Sequence, residues 1–120
     1  MSWIGVDLDG TLAEYDGWRG PDHIGKPVPL MLSRVRRWLA EGSEVRILTA
    51  RAATPGQYLP IKIWLSERGL DLPITCAKDW NMVELWDDRA VAVETNTGRR
   101  LSDNSLFELP LPPTNAGTEL

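Results

Sequence analysis

The sequence predicts an α/β fold: a single three-layer, Rossmann-like domain with a mainly parallel sheet and no cap domain. Three observations predict it. Strand-like apolar runs alternate with helical periods, the order that builds a parallel sheet with helices on its faces. A chain of 120 residues suits one domain around one core. Polar residues able to do chemistry recur where the expected strands end, the edge at which ligands gather in such sheets.

Ser2 to Leu8 reads as the first strand, with Trp3, Ile4 and Val6 leading to Asp7 and Asp9. Residues 11–28 are rich in Gly, Pro and Asp without a helical period, so they read as a flap loop or small hairpin. Long loops in compact domains usually carry function. Pro29 opens a helix to about Glu41, placing Met31, Val35, Trp38 and Leu39 on one face. Gly42 ends it, as a residue tolerant of positive φ does. Glu44 to Thr49 is the second strand. A turn at Pro55-Gly56 leads to a second helix over roughly Gln57 to Arg68, with Pro60 confined to its first turn. Ile74 to Ala77, Val83 to Trp86 and Val91 to Val93 read as the third, fourth and fifth strands. Only five residues separate Ala77 from Val83, where a parallel crossover normally takes a dozen. A single helical turn over Asp79 to Met82 is expected there. The core spans residues 1–94, and residues 95–120 form a polar tail with Pro110, Pro112 and Pro113.

Composition narrows the function classes. A net charge of −4 and a pI near 4.9 argue against a broad nucleic-acid-binding face. The single cysteine, Cys76, precludes an internal disulfide and reads as a small core residue in a reducing, cytoplasmic setting. No apolar stretch approaches the roughly 20 residues of a membrane helix, so no membrane partner is expected. Of the six tryptophans, most lie inside apolar patterns and read as core or rim, whereas Trp18 falls in the flap loop. There Trp18 or His23 stands within reach of a substrate.

The chemistry concentrates in Asp7-Leu8-Asp9-Gly10-Thr11 at the end of the first strand. Gly10 supplies the sharp turn that lets both carboxylates approach one centre. Thr49 ends the second strand, Lys78 follows the third, and Asp87-Asp88 end the fourth. Carboxylates at such range repel one another and raise one another's pKa. A hard divalent cation resolves that repulsion, and oxygen-only ligands favour magnesium over zinc. A lysine and a hydroxyl remain to hold phosphate oxygens, as phosphoryl transfer requires.

These motifs, in order over about residues 3 to 93, resemble the haloacid dehalogenase-like (HAD) superfamily of phosphohydrolases, in a small capless form. The resemblance implies a phosphomonoesterase in which Asp7 is the nucleophile and carries an aspartyl-phosphate. Asp9 would be the general acid and later the base. Thr49 would bind the transferring phosphoryl group and Lys78 would neutralise it. Magnesium would be held by Asp7, the Asp9 backbone carbonyl and one or both of Asp87 and Asp88. Gly10, Thr11, Ala50 and Arg51 are the expected substrate-binding residues, Arg51 reaching for a second anionic group. The expected substrate is a small phosphate ester, such as a nucleotide or sugar phosphate, or a phosphorylated nucleic-acid end. A capless site open to water suggests closure by a second copy in a homo-oligomer.

Three other readings compete. A dehalogenase has no need of Asp9 to protonate a leaving alcohol. A receiver-type signalling module places its acidic pair early and its phosphate-accepting aspartate late, the reverse of the order here. An idle phosphate- or metal-binding scaffold would keep these residues without turnover.

Overall fold

The computed structural model describes residues 2–101. The proline-rich segment of the expected tail lies outside them. Four strands form one parallel sheet: β1 (Trp3–Val6), β2 (Glu44–Leu48), β3 (Ile74–Thr75) and β4 (Met82–Trp86), in the order β3-β2-β1-β4. β1 is central, pairing Val6 with Ile47 on one side and with Trp86 on the other. Its four residues are buried throughout. A strand covered on both faces reads as a continuous apolar run, as Trp-Ile-Gly-Val does.

The α-helices are α1 (Pro29–Ala40) and α2 (Tyr58–Ser66). Pro29 at the first helical position gives up an amide that has no partner within the helix. Met31 and Val35 of α1 and Ile61, Trp64 and Leu65 of α2 join one core with Ile4, Val6, Val45 and Ile47. Each fully buried aliphatic side chain contributes about 1.5–3 kcal/mol relative to exposure. Tertiary packing, more than propensity, therefore holds these short helices. Because strand side chains alternate, Ile4 and Val6 share one face of the sheet and Trp3 and Gly5 share the other. Both helices thus lie on the same face. Right-handed crossovers dictate this, since β1 to β2 and β2 to β3 step in the same direction.

The opposite face has a different cover. Among the described residues no helix joins β3 to β4, and the chain from Cys76 to Asn81 makes the crossing as an irregular link with a bend at Cys76 and a turn at Trp80-Asn81. From Thr75 to Met82 it must pass three strand spacings and descend about four residues, a diagonal of about 20 Å. Four extended steps of roughly 3.4 Å and one turn spanning up to about 7 Å together reach about 20 Å, so the link just suffices. Asp79 fastens it: its carboxylate accepts from the Trp3 indole at 2.8 Å and from the Asn81 amide at 2.8 Å, and meets Arg46 at 3.6 Å. The expected turn over Asp79 to Met82 is present, closed by the Met82 amide on the Asp79 carbonyl at 3.2 Å. Of the expected outer layers, one is helical and the other is this strap.

Two further expectations are corrected. Cys76 is exposed, because the strap runs over the sheet rather than within it. Trp80, also on the strap, is 98% exposed and belongs to no core.

Residues up to Asp88 form one compact unit, and a second begins at Arg89, six residues before the expected boundary. In that second unit the expected strand over Val91 to Val93 is reduced to one antiparallel bridge, Val93 to Arg100. Glu94 and Arg99 close its turn through an ion pair at 3.3 Å. No helix among the described residues is long and apolar enough to cross a membrane.

Candidate functional site

The end of β1 builds the site. Asp7 extends the ladder by one bond, its amide donating to the Trp86 carbonyl at 2.9 Å. The chain then turns sharply, with Gly10 at φ +91° and its amide on the Ala13 carbonyl at 2.8 Å. Two constraints make glycine necessary there. The backbone is left-handed, and an added Cβ would come within 2.6 Å of the Asp88 carboxylate.

Asp87 and Asp88 follow β4, the strand beside β1, and so arrive next to Asp7. Carboxylate oxygens of Asp7, Asp87 and Asp88 lie within 4.8 Å of one another. Thr11, itself buried, knits the group together. Its hydroxyl accepts from the Asp88 amide at 3.0 Å and has Asp88 and Asp7 carboxylate oxygens at 3.2 and 3.3 Å to receive its proton. Burial pushes the Asp7 carboxyl up to about 7, and repulsion from Asp87 and Asp88 adds to the rise. The Leu8 amide and the Thr11 hydroxyl oppose it.

Asp9 has a different neighbour. Both of its oxygens accept from Arg51, Oδ2 from Nε at 2.7 Å and Oδ1 from Nη2 at 2.8 Å. Arg51 is buried and stands in the 3-10 turn Ala50–Ala53 that follows β2. Its backbone amide donates to the Thr49 hydroxyl at 3.2 Å, which caps that turn. The same guanidinium donates to the Pro21 carbonyl at 3.2 Å and the His23 carbonyl at 2.9 Å, and lies 4.8 Å from the centre of the Trp18 ring.

The flap is a narrow hairpin at its base. Ala13 bridges Pro27, and the Glu14 amide donates to the Lys26 carbonyl at 2.8 Å. Gly25 is required there because a Cβ would collide with the Glu14 carbonyl oxygen. The Trp64 indole of α2 donates to the Gly25 carbonyl at 2.9 Å, tying the base to the helical layer.

The expected site residues thus fall into two groups. Asp7, Gly10, Thr11, Asp87 and Asp88 meet, and Asp9, Thr49 and Arg51 meet. The Asp9 side chain belongs to the second group, whereas the metal contact expected of Asp9 is through its backbone carbonyl. Ala50 is exposed at the start of the 3-10 turn. Among the described residues Lys78 joins neither group through a hydrogen bond or ion pair. β3 ends three residues before it, and it rides the exposed strap beside Asp79.

Sequence reasoning missed the Asp9–Arg51 pair and the linking role of Thr11. An arginine two residues past a strand-end threonine was a signal for the first, but its acidic partner is 42 residues away.

The donor set fits a hard divalent cation: three carboxylates, oxygen only, one of them held protonated to unusually high pH by burial and, secondarily, by the other two.

No family model matches the chain, and no curated protein matches it. Among solved structures, a conserved protein from Bacteroides thetaiotaomicron is similar, with 21% identity and a TM-score of 0.56 over 87% of this chain and 84% of that one. At that identity the likeness carries the fold alone, and it agrees with a Rossmann-like parallel α/β architecture.

Proposed function

We propose that the protein is a magnesium-dependent phosphomonoesterase working through an aspartyl-phosphate on Asp7. The observation that carries the reading is the convergence of Asp7, Asp87 and Asp88 at the ends of two adjacent parallel strands. The order of the sequence motifs supports it further.

In this reading an Asp7 oxygen attacks phosphorus and the bond from phosphorus to the ester oxygen breaks. The departing oxygen takes a proton, and an alcohol leaves. Water then attacks the phosphorus of the phosphoaspartate, returning Asp7 and inorganic phosphate. Asp7, Asp87 and Asp88 would hold magnesium, which would supply charge neutralisation at the phosphoryl oxygens and at the crowded carboxylates. Asp9 is the proton donor and later the acceptor. While both its oxygens accept from Arg51, neither can donate, so its work requires that pair to open. The substrate class is a phosphate monoester: a nucleotide, a sugar phosphate or a polynucleotide end. An exposed thiol at Cys76 keeps best in a reducing compartment, which supports a cytoplasmic setting.

Phosphate release from a panel of monoesters, with magnesium or chelator, tests the proposal. Release that needs magnesium and falls at least about 10³-fold in Asp7→Asn is expected. No release from nucleotides, sugar phosphates or phosphorylated DNA ends would overturn it in favour of a binding scaffold.

A further inference from the structure

Arg51 carries five N–H groups, and four of them are committed: two to Asp9, one to the Pro21 carbonyl and one to the His23 carbonyl. Its side chain is 5% exposed. A guanidinium so enclosed and so spent is poorly placed to receive a second anionic group of a substrate, the role expected from sequence. It is a connector instead. Three segments meet on it: the turn after β1 through Asp9, the flap through Pro21, His23 and Trp18, and the turn after β2 through Thr49.

The bonds are shared, and that sharing has a physical consequence. If the flap lifts, Arg51 loses two carbonyl acceptors and the cover of the Trp18 ring, and water reaches the ion pair. An ion pair in water is worth a small fraction of one in a protein interior. Loss of the flap therefore weakens the hold on Asp9. Conversely, loss of Asp9 removes the two shortest bonds that keep the guanidinium turned toward the flap carbonyls. Coupling between two parts of one structure is reciprocal.

We infer that Arg51 is a positioning residue that couples the flap over residues 14–27 to the Asp9 carboxylate. With the flap seated, Asp9 is locked; with the flap lifted, Asp9 is released to turn toward a bound ester. The coupling itself stands on geometry, and only its meaning for turnover rests on the phosphomonoesterase reading.

The test is amide hydrogen exchange on the full chain, comparing the intact protein with Asp9→Asn and Arg51→Lys. Asp9→Asn keeps the shape of the side chain and removes its charge. Arg51→Lys keeps the charge and removes the planar fork. Peptides covering residues 14–27 are expected to exchange at least tenfold faster in both variants, while peptides covering 29–48 keep the intact rate. Should Asp9→Asn fail to fold, Arg51→Lys carries the comparison alone. Unchanged exchange over 14–27 would overturn the coupling. Where phosphate is released, Arg51→Lys loosens the lock on Asp9 and is expected to raise kcat severalfold with little change in KM; an unchanged kcat or a rise in KM alone would overturn the link to Asp9. A protein that releases no phosphate yet shows the local exchange change would count against the hydrolase reading and leave the coupling intact.

Discussion

Asp7 and Asp9 stand two residues apart at the end of one strand, yet their surroundings are opposite. Asp7 faces two more carboxylates and is held protonated up to about pH 7. Asp9 faces a buried guanidinium that takes both its oxygens. The neighbouring strands make the difference. β1 is flanked by β4, which delivers Asp87 and Asp88, and by β2, which delivers Arg51. One short motif at a central strand end is therefore read by two neighbours, one negative and one positive. That division separates a cluster of three carboxylates from a carboxylate paired with a buried arginine.

The largest stability effect should come from breaking the positive side. Arg51→Ala leaves the partly buried Asp9 carboxylate and two flap carbonyls without their donors. A broken buried ion pair typically costs about 3–5 kcal/mol. Asp9 retains some access to water, so about 3 kcal/mol is expected, read as a fall of roughly 10 °C in Tm. A loss of under about 1 kcal/mol would show the pair to be no more than a surface contact.

Crowding the negative side should cost less. Gly10→Ala puts a Cβ against the Asp88 carboxylate at a left-handed backbone position. A loss of about 1–3 kcal/mol is expected by thermal denaturation, with weaker magnesium binding, because Asp88 must move. Unaltered stability and binding would mean that Asp88 is not held in place by the turn.

Removing charge from the negative side should stabilise. The folded Asp7 carboxyl lies near 7 against an ordinary value of 3.8. The folded state thus binds the extra proton, and the stability this gives is complete below about pH 4 and lost as pH rises through 7. Without divalent cations, Asp7→Asn should match the intact protein near pH 4 and exceed it above pH 7. The gain is of the order of 1–2 kcal/mol after allowance for solvent screening of a partly open group. Equal pH dependence of the two Tm curves would contradict the crowding of Asp7.

Much of this architecture was legible in the sequence because it rests on short-range pattern. Apolar runs and Pro29 set the first four strands and α1 to within a residue or two, and Asp7, Asp87 and Asp88 were placed together by falling at strand ends. What escaped depends on contacts distant in sequence. The strap from Cys76 to Asn81 carries no periodicity, and only the fastening of Asp79 to Trp3 and Arg46 explains how so few residues cross the sheet. Cys76 goes astray with it. The position of Arg51 after Thr49 was a local signal, but helix and strand patterns say nothing about its partner Asp9, 42 residues away.

The division of the motif is tested most directly by calorimetric titration of magnesium into the intact protein, Asp7→Asn and Asp9→Asn. One ion per chain is expected to bind the intact protein, binding should be lost in Asp7→Asn, and Asp9→Asn should bind as the intact chain does. Magnesium binding that survives Asp7→Asn, or that is lost equally in both variants, would contradict the separation of the two aspartates.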